Sequence, residues 1–357
     1  MANAWITHVG HALPGPAVPQ QTFSAWMEPR LAPGTSLARW RKFTERVGVS
    51  FRHSVLDVFG AEGNAFWPIA GKPGPGTGER SRMFDQRALP LAVSAVQAAR
   101  IGDLSRVTHL VVVPCTGAVA PGLDIQLVSA LELPRTVRRT MIAFMGCYAA
   151  IPALRVARDI CRADSSAQVL VVCCELSSLH LQAGPHDDAL LAACLFGDGA
   201  SAALVRGGEA PDGPDSVRVR IIGDASALIP DTGAHMTWHA GDHGFVLGLS
   251  PAITGSLSAD LAPLCAEMLG KDVPPASARW IIHPGGPRIV DVAAKALGLD
   301  EQALVCSRRA LSDGGNRSSG TVLAILADEL ATPWSGAMGM FAFGPGLTAE
   351  ALLLERL

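Results

Sequence analysis

Apolar and polar positions follow two different periods along the chain, and the alternation between them predicts strands interleaved with helices. Continuous apolar runs of strand length suit the interior of a sheet that is covered on both faces. They predict strands at Val107–Pro114, Val169–Leu176, Ala200–Val205, Val217–Ile222, Ala278–Ile282 and, as the last internal strand, Met338–Phe343. Apolar residues spaced by three or four predict helices at Ser36–Val47, Leu89–Ile101, Pro287–Leu297 and over a stretch that ends at Leu330. This order indicates an α/β fold with mostly interior strands.

Two segments rich in glycine and proline interrupt the pattern. Ala70–Ser81 predicts a surface loop, and Arg206–Asp215 is the clearest internal break. The 357 residues are enough for two domains or for one large two-lobed unit. We therefore expect two halves, residues 1–207 and 208–357.

The stretch that begins at Thr140 changes from a strand-like apolar run to the apolar spacing of a helix. Thr140–Phe144 has the length of a strand, whereas apolar residues from Ala150 onward recur at helical spacing. Gly146 permits a sharp turn between the two, which places Cys147 where a strand gives way to a helix N-terminus. Unpaired N–H groups and the helix dipole at such a place lower the pKa of a thiol. A small buried structural cysteine is the alternative that this stretch alone leaves open.

Two further polar residues stand at similar turns. His283 follows a predicted strand and precedes two glycines, and Asn316 ends the predicted turn Ser312–Asn316 ahead of an apolar helix. Cys147 and Asn316 each follow a glycine and open a helix. The chain therefore resembles a duplicated unit, with the functional site where its two copies meet. A catalytic cysteine needs an activating base, so a histidine partner is expected. A core histidine bonded to backbone and a turn asparagine are the ordinary alternatives.

Composition narrows the class of protein. Hydrophobic residues make up 49% of the chain, yet no apolar run approaches the ~20 residues that span a bilayer. The first residues lack the basic and then apolar order of a signal peptide. A net charge of −3 without a basic block argues against nucleic acid as the main partner. The eight cysteines form no CxxC pair, so we predict no disulfide framework, no zinc site and a soluble cytoplasmic protein.

The predicted helix Ser36–Val47 carries a basic stripe. Arg39, Lys42 and Arg46 fall on one face with no interleaved acid on that stripe. Such a stripe suits a phosphate-rich ligand. A solvated basic face is the alternative.

Three histidines, His235, His239 and His243, recur every fourth residue. On an uninterrupted helix they would be candidate metal ligands. Two glycines break any helix here, and the stretch then becomes strand-like. We expect turn residues or contacts near a pocket mouth, and no metal.

Five motifs together resemble one known family. They are Phe144-Met-Gly-Cys-Tyr148, Phe196-Gly-Asp-Gly-Ala200, Trp280-Ile-Ile-His-Pro-Gly-Gly-Pro287, Gly315-Asn-Arg-Ser-Ser-Gly320 and Phe343-Gly-Pro-Gly346. In order and spacing, from about Ala38 onward, the chain resembles the type III polyketide synthases, the chalcone synthase-like enzymes of the thiolase fold. The resemblance implies a layered αβαβα fold of two pseudo-repeated halves and a homodimer. It also implies coenzyme A thioesters as substrates and no metal or redox cofactor.

The same resemblance implies roles for the polar residues. Cys147 would be the nucleophile that takes an acyl group from a starter acyl-CoA. His283 would hold Cys147 as thiolate and, with Asn316, form an oxyanion hole for the enolate left when malonyl-CoA loses CO2. That carbanion would attack the thioester on Cys147 and add two carbons. The residues at the family's CoA-phosphate positions are Arg39, Lys42 and Arg46.

Seven further residues correspond to the family's substrate pocket. Those that match the family are Phe196 and Phe245, aromatic residues that shield the site from water, and Glu175 and Ser318, linked to aldol cyclisation. Those that depart from the plant pattern are Cys115 and His180, which replace threonine, and Met236, which replaces glycine. We expect these departures to alter the hydrogen-bond network of Glu175 and Ser318 and to reshape the pocket floor.

The starter and the product follow from one segment of the resemblance. Pro230–Leu247 is most similar to bacterial enzymes that use fatty acyl-CoA and release alkylpyrones or alkylresorcinols. A ketoacyl-ACP synthase III-like enzyme, with one extension and no cyclisation, is the alternative enzyme. A relative that only binds acyl-CoA is the non-catalytic alternative, although all three triad residues are present.

Overall fold

The structure, a computed structural model, describes residues 2–72, 74–184, 186–210, 217–250, 252–269 and 278–357. Its strands are β1 Asn3–Ala12, β2 Val18–Pro19, β3 Phe51–Arg52, β4 His109–Val113, β5 Arg138–Met141, β6 Gln168–Leu176, β7 Asp198–Gly208, β8 Val219–Leu228, β9 Met236–Gly241, β10 Gly244–Leu249, β11 Arg279–Ile282, β12 Gly336–Gly344 and β13 Thr348–Arg356. Its α-helices are α1 Gln20–Met27, α2 Leu37–Arg46, α3 Ala61–Phe66, α4 Thr77–Ala98, α5 Leu123–Ala130, α6 Ala150–Ala163, α7 Asp187–Leu195, α8 Ile253–Leu269, α9 Pro287–Leu297, α10 Val305–Gly314 and α11 Thr321–Leu330. Within those described ranges, no helix combines the length and the apolar character that a bilayer crossing requires.

One sheet joins the two halves of the chain, with strand order β11-β12-β13-β8-β1-β7-β6-β4-β5. In the first half β4 is parallel to β5 and β6, while β6, β7 and β1 pair antiparallel. In the second half β11 and β12 are parallel, while β12, β13 and β8 pair antiparallel. Apart from the additional edge strand β5, the halves thus share one pairing pattern, and they meet where Trp5 and Ile6 of β1 pair with Arg220 and Val219 of β8.

Alternation along each strand sorts the core into layers. In β4, Val111 and Val113 pack in a central cluster with α6 and α11, whereas Leu110 and Val112 pack against the outer helices α4 and α5. In the second half, β11 to β13 likewise divide their side chains between that central cluster and the outer helices α8 and α9. Each large apolar side chain buried in this way stabilises the fold by about 1.5–3 kcal/mol. Outer helices, strands, central helices, strands and outer helices follow in turn, which confirms the predicted αβαβα fold.

Helix α4 begins well before the predicted start at Leu89, inside the predicted loop Ala70–Ser81. The N–H of Thr77 donates to the Asp242 carbonyl at 2.9 Å. Arg80, 4% exposed, donates from Nη1 to the Leu181 carbonyl at 3.3 Å. These tertiary contacts outweigh the glycine- and proline-rich composition that predicted a loop.

Three other elements differ from the sequence prediction in where they begin or end. β5 ends at Met141 instead of Phe144, and α10 continues to Gly314, so that the predicted turn starts only at Gly315. β13 lies inside the sheet between β12 and β8, so the strand predicted as the last internal one is not the last. The apolar run of β13 is interrupted by Glu350, a buried carboxylate that pairs with Arg155.

The predicted break between the halves falls partly on β7, which continues to Gly208. Residues 211–216 of the predicted segment lie outside the described residues. The division at residues 207 and 208 stays a prediction.

Candidate active site

The turn that holds Cys147 is built by backbone that few side chains permit. Phe144 and Gly146 have φ values of 59° and 84°. A Cβ at Gly146 would lie 2.8 Å from Cδ of Pro345, so only glycine fits without a shift. The Ala149 N–H donates to the Gly146 carbonyl at 3.1 Å, and α6 follows from Ala150. Cys147 is therefore presented just ahead of a helix N-terminus, as the sequence predicted.

Asn316 reaches the same point from the other half of the chain. Its backbone N–H donates to the Leu195 carbonyl at 2.9 Å. Its side-chain Oδ1 accepts from the Ser318 N–H at 2.8 Å, and its Nδ2 lies 3.8 Å from the Cys147 sulfur. The same sulfur lies 3.9 Å from Oδ1, so the thiol can accept from Nδ2 or donate to Oδ1.

His283 completes the group at the end of β11. Its backbone N–H donates to the Phe341 carbonyl at 2.8 Å, and the side chain is 1% exposed. Among the described residues neither ring nitrogen has a hydrogen-bond partner. The imidazole lines the same cavity as Cys147 and Asn316. Neither nitrogen is therefore engaged by the described part of the protein.

Burial disfavours the charged forms of both Cys147 and His283. It raises the pKa of the Cys147 thiol to about 11, although hydrogen bonds with Ser318 and Asn316 oppose the rise. Burial, with a smaller contribution from the positive charge of Arg317, lowers the pKa of His283 to about 3.

The cavity in front of these side chains has a volume of about 590 Å³. Its inner end is formed by Cys147, His283 and Asn316, with Cys115 and Ser318 beside them. Most of the remaining wall is apolar: Met236, Trp238, Leu247, Leu249, Ile253 and Leu257. Such a space suits an extended apolar group that ends at the thiol.

The exposed rim of the cavity is cationic. Ser36 caps α2 by accepting from the Arg39 N–H at 3.3 Å, and the buried Trp40 turns the predicted stripe of Arg39, Lys42 and Arg46 toward the cavity. Arg39 also pairs with Asp187 of α7. Arg288 of α9 lines the cavity as a fourth cation that the sequence analysis missed. Its position directly after Trp280-Ile-Ile-His-Pro-Gly-Gly-Pro287 was the available signal.

Glu175 lies behind the cavity and not on its wall. Its carboxylate accepts from the Cys115 N–H at 3.3 Å, from the Thr116 hydroxyl at 2.7 Å and from the Ser319 hydroxyl. Burial raises the pKa of the carboxyl to about 7, and these donors oppose the rise. The expected network with Ser318 thus runs instead through Ser319 and Thr116, which the sequence analysis did not single out.

Phe245 and His180 also lie off the wall of the main cavity. Their rings stack with centroids 4.2 Å apart, and Trp238 packs edge-on against Phe245. The Trp238 indole donates to the Cys115 carbonyl at 3.1 Å. A second cavity of about 70 Å³ lies behind this cluster, and Phe196 and Trp238 line both cavities. Of the two predicted gatekeepers, only Phe196 lines the main cavity.

The three regularly spaced histidines lie on and just before a hairpin. His239 is in β9 and His243 in the turn to β10, which confirms the predicted strand-like continuation. His235 precedes β9, and its Nδ1 lies 3.4 Å from the Ser256 hydroxyl.

Two family profiles match most of the chain. The profile described as "Chalcone and stilbene synthases, N-terminal domain" matches residues 68–210, and the one described as "Chalcone and stilbene synthases, C-terminal domain" matches residues 221–357. Together they cover well over half of the sequence.

Three solved structures share the fold over nearly the whole length. The C-terminal type III polyketide synthase domain of Steely1, a type I/III hybrid from Dictyostelium, is 23% identical, with 99% of both chains covered and a TM-score of 0.89. PKS-I from the brown alga Ectocarpus siliculosus is 26% identical, with 100% of this chain and 99% of that chain covered and a TM-score of 0.88. A mutant of CsyB is 24% identical, with 99% of this chain and 100% of that chain covered and a TM-score of 0.88.

Proposed function

Because the chain belongs to the chalcone and stilbene synthase family and is a type III polyketide synthase, an acyltransferase, we propose that it loads a fatty acyl-CoA starter on Cys147. It extends the starter with malonyl-CoA and releases a cyclised alkylpyrone or alkylresorcinol. The observation that carries the proposal is one cavity of about 590 Å³ that has Cys147, His283 and Asn316 at its inner end and cations at its rim.

Loading begins when the Cys147 sulfur attacks the thioester carbon of the acyl-CoA. His283 accepts the thiol proton, and the resulting oxyanion collapses with expulsion of the CoA sulfur. The imidazolium returns the proton to that sulfur, so CoA leaves as a thiol. An imidazole whose nitrogens have no partner among the described residues supports this role.

Extension requires a carbanion at neutral pH. Malonyl-CoA supplies it by losing CO2, and the electrons of the broken C–C bond form an enolate whose oxygen Asn316 Nδ2 and His283 stabilise. One such donor typically contributes about 3 kcal/mol. The enolate carbon attacks the thioester on Cys147, the sulfur leaves, and the chain is longer by two carbons on the extender's CoA.

The wall of the cavity supports a fatty acyl starter. Leu249, Ile253 and Leu257 line it on the side of α8 and β10. Each buried CH2 of a bound chain contributes about 0.8 kcal/mol. At the rim, Lys42, Arg46 and Arg288 face the solvent and suit the phosphates of CoA. Arg39, which also pairs with Asp187, belongs to the same proposed CoA-phosphate site. The proposal also includes a role in cyclisation for the network around Glu175.

A homodimer is part of the proposal. All four residues of β5, at the sheet edge, are exposed. Met141 and Phe144 are 41% and 42% exposed beside it. An exposed sheet edge with apolar side chains is a ready template for pairing with another chain. A second copy of this chain fits that edge.

The test is incubation of the purified protein with malonyl-CoA and acyl-CoA starters of increasing length, with products identified by mass spectrometry. Several added two-carbon units and a ring support the proposal. A single ketoacyl product would identify a ketoacyl-ACP synthase III-like enzyme instead. If the wild type binds acyl-CoA but forms no more polyketide than the Cys147→Ala variant, the protein is a non-catalytic binder.

A further inference from the structure

The backbone of Asn316 is held by the segment at the end of helix α7. The Asn316 N–H donates to the Leu195 carbonyl at 2.9 Å, and the Asn316 carbonyl accepts from the Gly197 N–H at 3.0 Å. A Cβ at Gly315 would lie 2.7 Å from the Leu195 carbonyl oxygen, so the two segments are in close contact. The position of the Asn316 side chain therefore depends on where the end of α7 lies.

A buried arginine bonds the last turn of that helix. Arg52 of β3 is 6% exposed. It donates from Nη1 to the Ala193 carbonyl at 2.7 Å and from Nη2 to the Cys194 carbonyl at 2.6 Å. The last carbonyls of a helix have no partner within it, and the helix dipole favours a cation beside them. Arg52 thus fixes the two carbonyls that directly precede Leu195.

Gln20, at the start of α1, completes this contact. Its Nε2 donates to the Cys194 carbonyl at 2.9 Å, and its Oε1 accepts from Arg52 Nε at 3.1 Å. The short strands β2 and β3 hold the two residues together, because Val18 pairs with Arg52 and the Gln20 N–H donates to the Ser50 carbonyl at 2.9 Å. Each guanidinium nitrogen therefore has an acceptor, in a planar arrangement that a lysine cannot reproduce.

The burial of this cation is matched by hydrogen bonds to neutral groups. Asp198, the acid that attracts it, accepts instead from the Val55 N–H at 2.9 Å and from the Ser178 N–H at 2.8 Å. The guanidinium also lies over the Phe23 ring, 3.8 Å from its centroid. A buried charge is costly unless it is hydrogen-bonded, so the contact with the end of α7 accounts for an arginine at this position.

The residues just before Arg52 contact the element that leads to Asn316. The Ser50 N–H donates to the Ser312 carbonyl at 2.8 Å, and the two serine hydroxyls are 2.9 Å apart. Ser312 lies in α10, which ends at Gly314. The segment that includes Arg52 therefore braces both neighbours of Asn316, the helix that precedes it and the helix end that bonds its backbone.

We propose that Arg52 is a positioning residue for Asn316. By fixing the end of α7 it holds the amide beside Cys147, at the place where the amide stabilises the enolate oxygen. The inference rests on the proposed role of Asn316 in the decarboxylation of malonyl-CoA. It depends on neither the starter nor the product.

The experiment compares two steps of the reaction in the same variants. One is CO2 release from labelled malonyl-CoA without a starter, which uses Asn316. The other is acylation of Cys147 by the acyl-CoA that loads the wild type fastest, followed by intact-protein mass spectrometry. Arg52→Met removes the charge and the hydrogen bonds. The kcat of CO2 release should fall by about tenfold with little change in KM, because a displaced donor stabilises the enolate less, while acylation should stay within a factor of about two.

Two further variants serve as matched controls. Arg30→Met removes an arginine that also bonds two carbonyls and lies over an aromatic ring, but its partners are Trp26 and Trp67, so both steps should match the wild type. Arg52→Lys keeps the charge but not the paired bonds, and it should retain only part of the CO2 release. In the Asn316→Ala background, Arg52→Met should cause no further fall, because residues that act as one unit are not additive.

Three results would overturn the inference. They are wild-type CO2 release by Arg52→Met, an equal loss in both steps, and a further fall in the double variant; the last two would mean that Arg52 only stabilises the fold. If Arg52→Met does not fold, Gln20→Leu, which removes one bond to Cys194 and the acceptor of Arg52 Nε, gives the same comparison. Wild-type CO2 release by Asn316→Ala would contradict the proposed role of Asn316 and, with it, this inference.

Discussion

At the scale of single residues, the orientation of Asn316 is set by its own neighbour. The Ser318 N–H donates to Oδ1 at 2.8 Å and holds the amide beside the Cys147 sulfur, which lies 3.8 Å from Nδ2 and 3.9 Å from Oδ1. The residues that carry this geometry were predicted, because glycine before a polar residue at a strand-to-helix turn is readable from sequence. Ser319 and Trp238 were not singled out, because their partners Glu175 and Cys115 lie more than 100 residues away along the chain.

Removal of the Asn316 amide should slow the decarboxylation of malonyl-CoA more than it weakens binding. Asn316→Ala deletes one donor to the enolate oxygen, and we expect a fall in kcat of about 100-fold with little change in KM. The measurement is CO2 release from labelled malonyl-CoA, with the exposed Asn64→Ala as control. A rate within a factor of about two of wild type would remove Asn316 from the oxyanion hole.

His180 gives the stability of the protein a predictable pH dependence. Its Nε2 bonds the Thr116 carbonyl at 2.8 Å and its Nδ1 accepts from the Phe245 N–H at 3.0 Å, an arrangement that requires a neutral ring. Burial lowers its pKa from 6.5 to about 4. Between these two pH values the unfolded chain therefore binds a proton that the folded protein does not. The free energy of unfolding is thus highest above pH 6.5 and falls by up to about 3 kcal/mol as the pH falls toward 4.

His180→Gln keeps a donor for the Thr116 carbonyl but cannot be protonated. Its free energy of unfolding should fall less steeply below pH 6.5 than that of the wild type, as measured by urea denaturation at several pH values. The exposed His243→Gln should retain the full slope. Equal slopes for wild type and His180→Gln would contradict a neutral buried His180.

At the scale of elements, the β9–β10 hairpin builds one wall of the cavity by strict alternation. Met236 pairs with Leu249 and Trp238 with Leu247, and all four line the cavity, whereas His239 is exposed. Of this hairpin only the second strand, β10, was predicted. In β9 the regularly spaced histidines obscured the alternation of apolar and polar positions. Strand β13 was missed because the buried Glu350 interrupts its apolar run, and the start of α4 was missed because its glycine- and proline-rich composition predicted a loop.

Met236 should set the length of the accepted starter. Met236→Trp adds volume to the cavity side of β9, so long acyl chains lose room while short ones still fit. We expect the product profile to shift to shorter starters in a competition among acyl-CoAs, read by mass spectrometry. His239→Trp adds a similar volume to the other face of β9 and should leave the profile unchanged. An unchanged profile with Met236→Trp would place the acyl chain elsewhere.

At the scale of the whole molecule, the site exists because two similar halves meet. Cys147 stands before α6 of the first half and Asn316 before α11 of the second, and both helices lie in the central layer. The layered fold was predicted from alternating periods and motif order. The joining of both halves in one sheet through β1 and β8 was not, because strand pairing over such separations leaves no local pattern.

The proposed dimer should depend on the edge strand β5. Met141→Asp places a charge on the exposed apolar edge, and we expect a monomer by sedimentation velocity where the wild type is a dimer. Leu228→Asp, at another exposed apolar residue, is the control and should remain dimeric. A dimer that survives Met141→Asp, or a monomeric wild type, would contradict pairing through this edge.

Acylation of Cys147 is tested most directly by intact-protein mass spectrometry after brief incubation with a fatty acyl-CoA, followed by peptide mapping. The wild type should gain the mass of one acyl group, located on Cys147, and Cys147→Ala should gain none while still releasing CO2 from malonyl-CoA. An acyl group found on another cysteine, or polyketide formed at the wild-type rate by Cys147→Ala, would contradict this assignment.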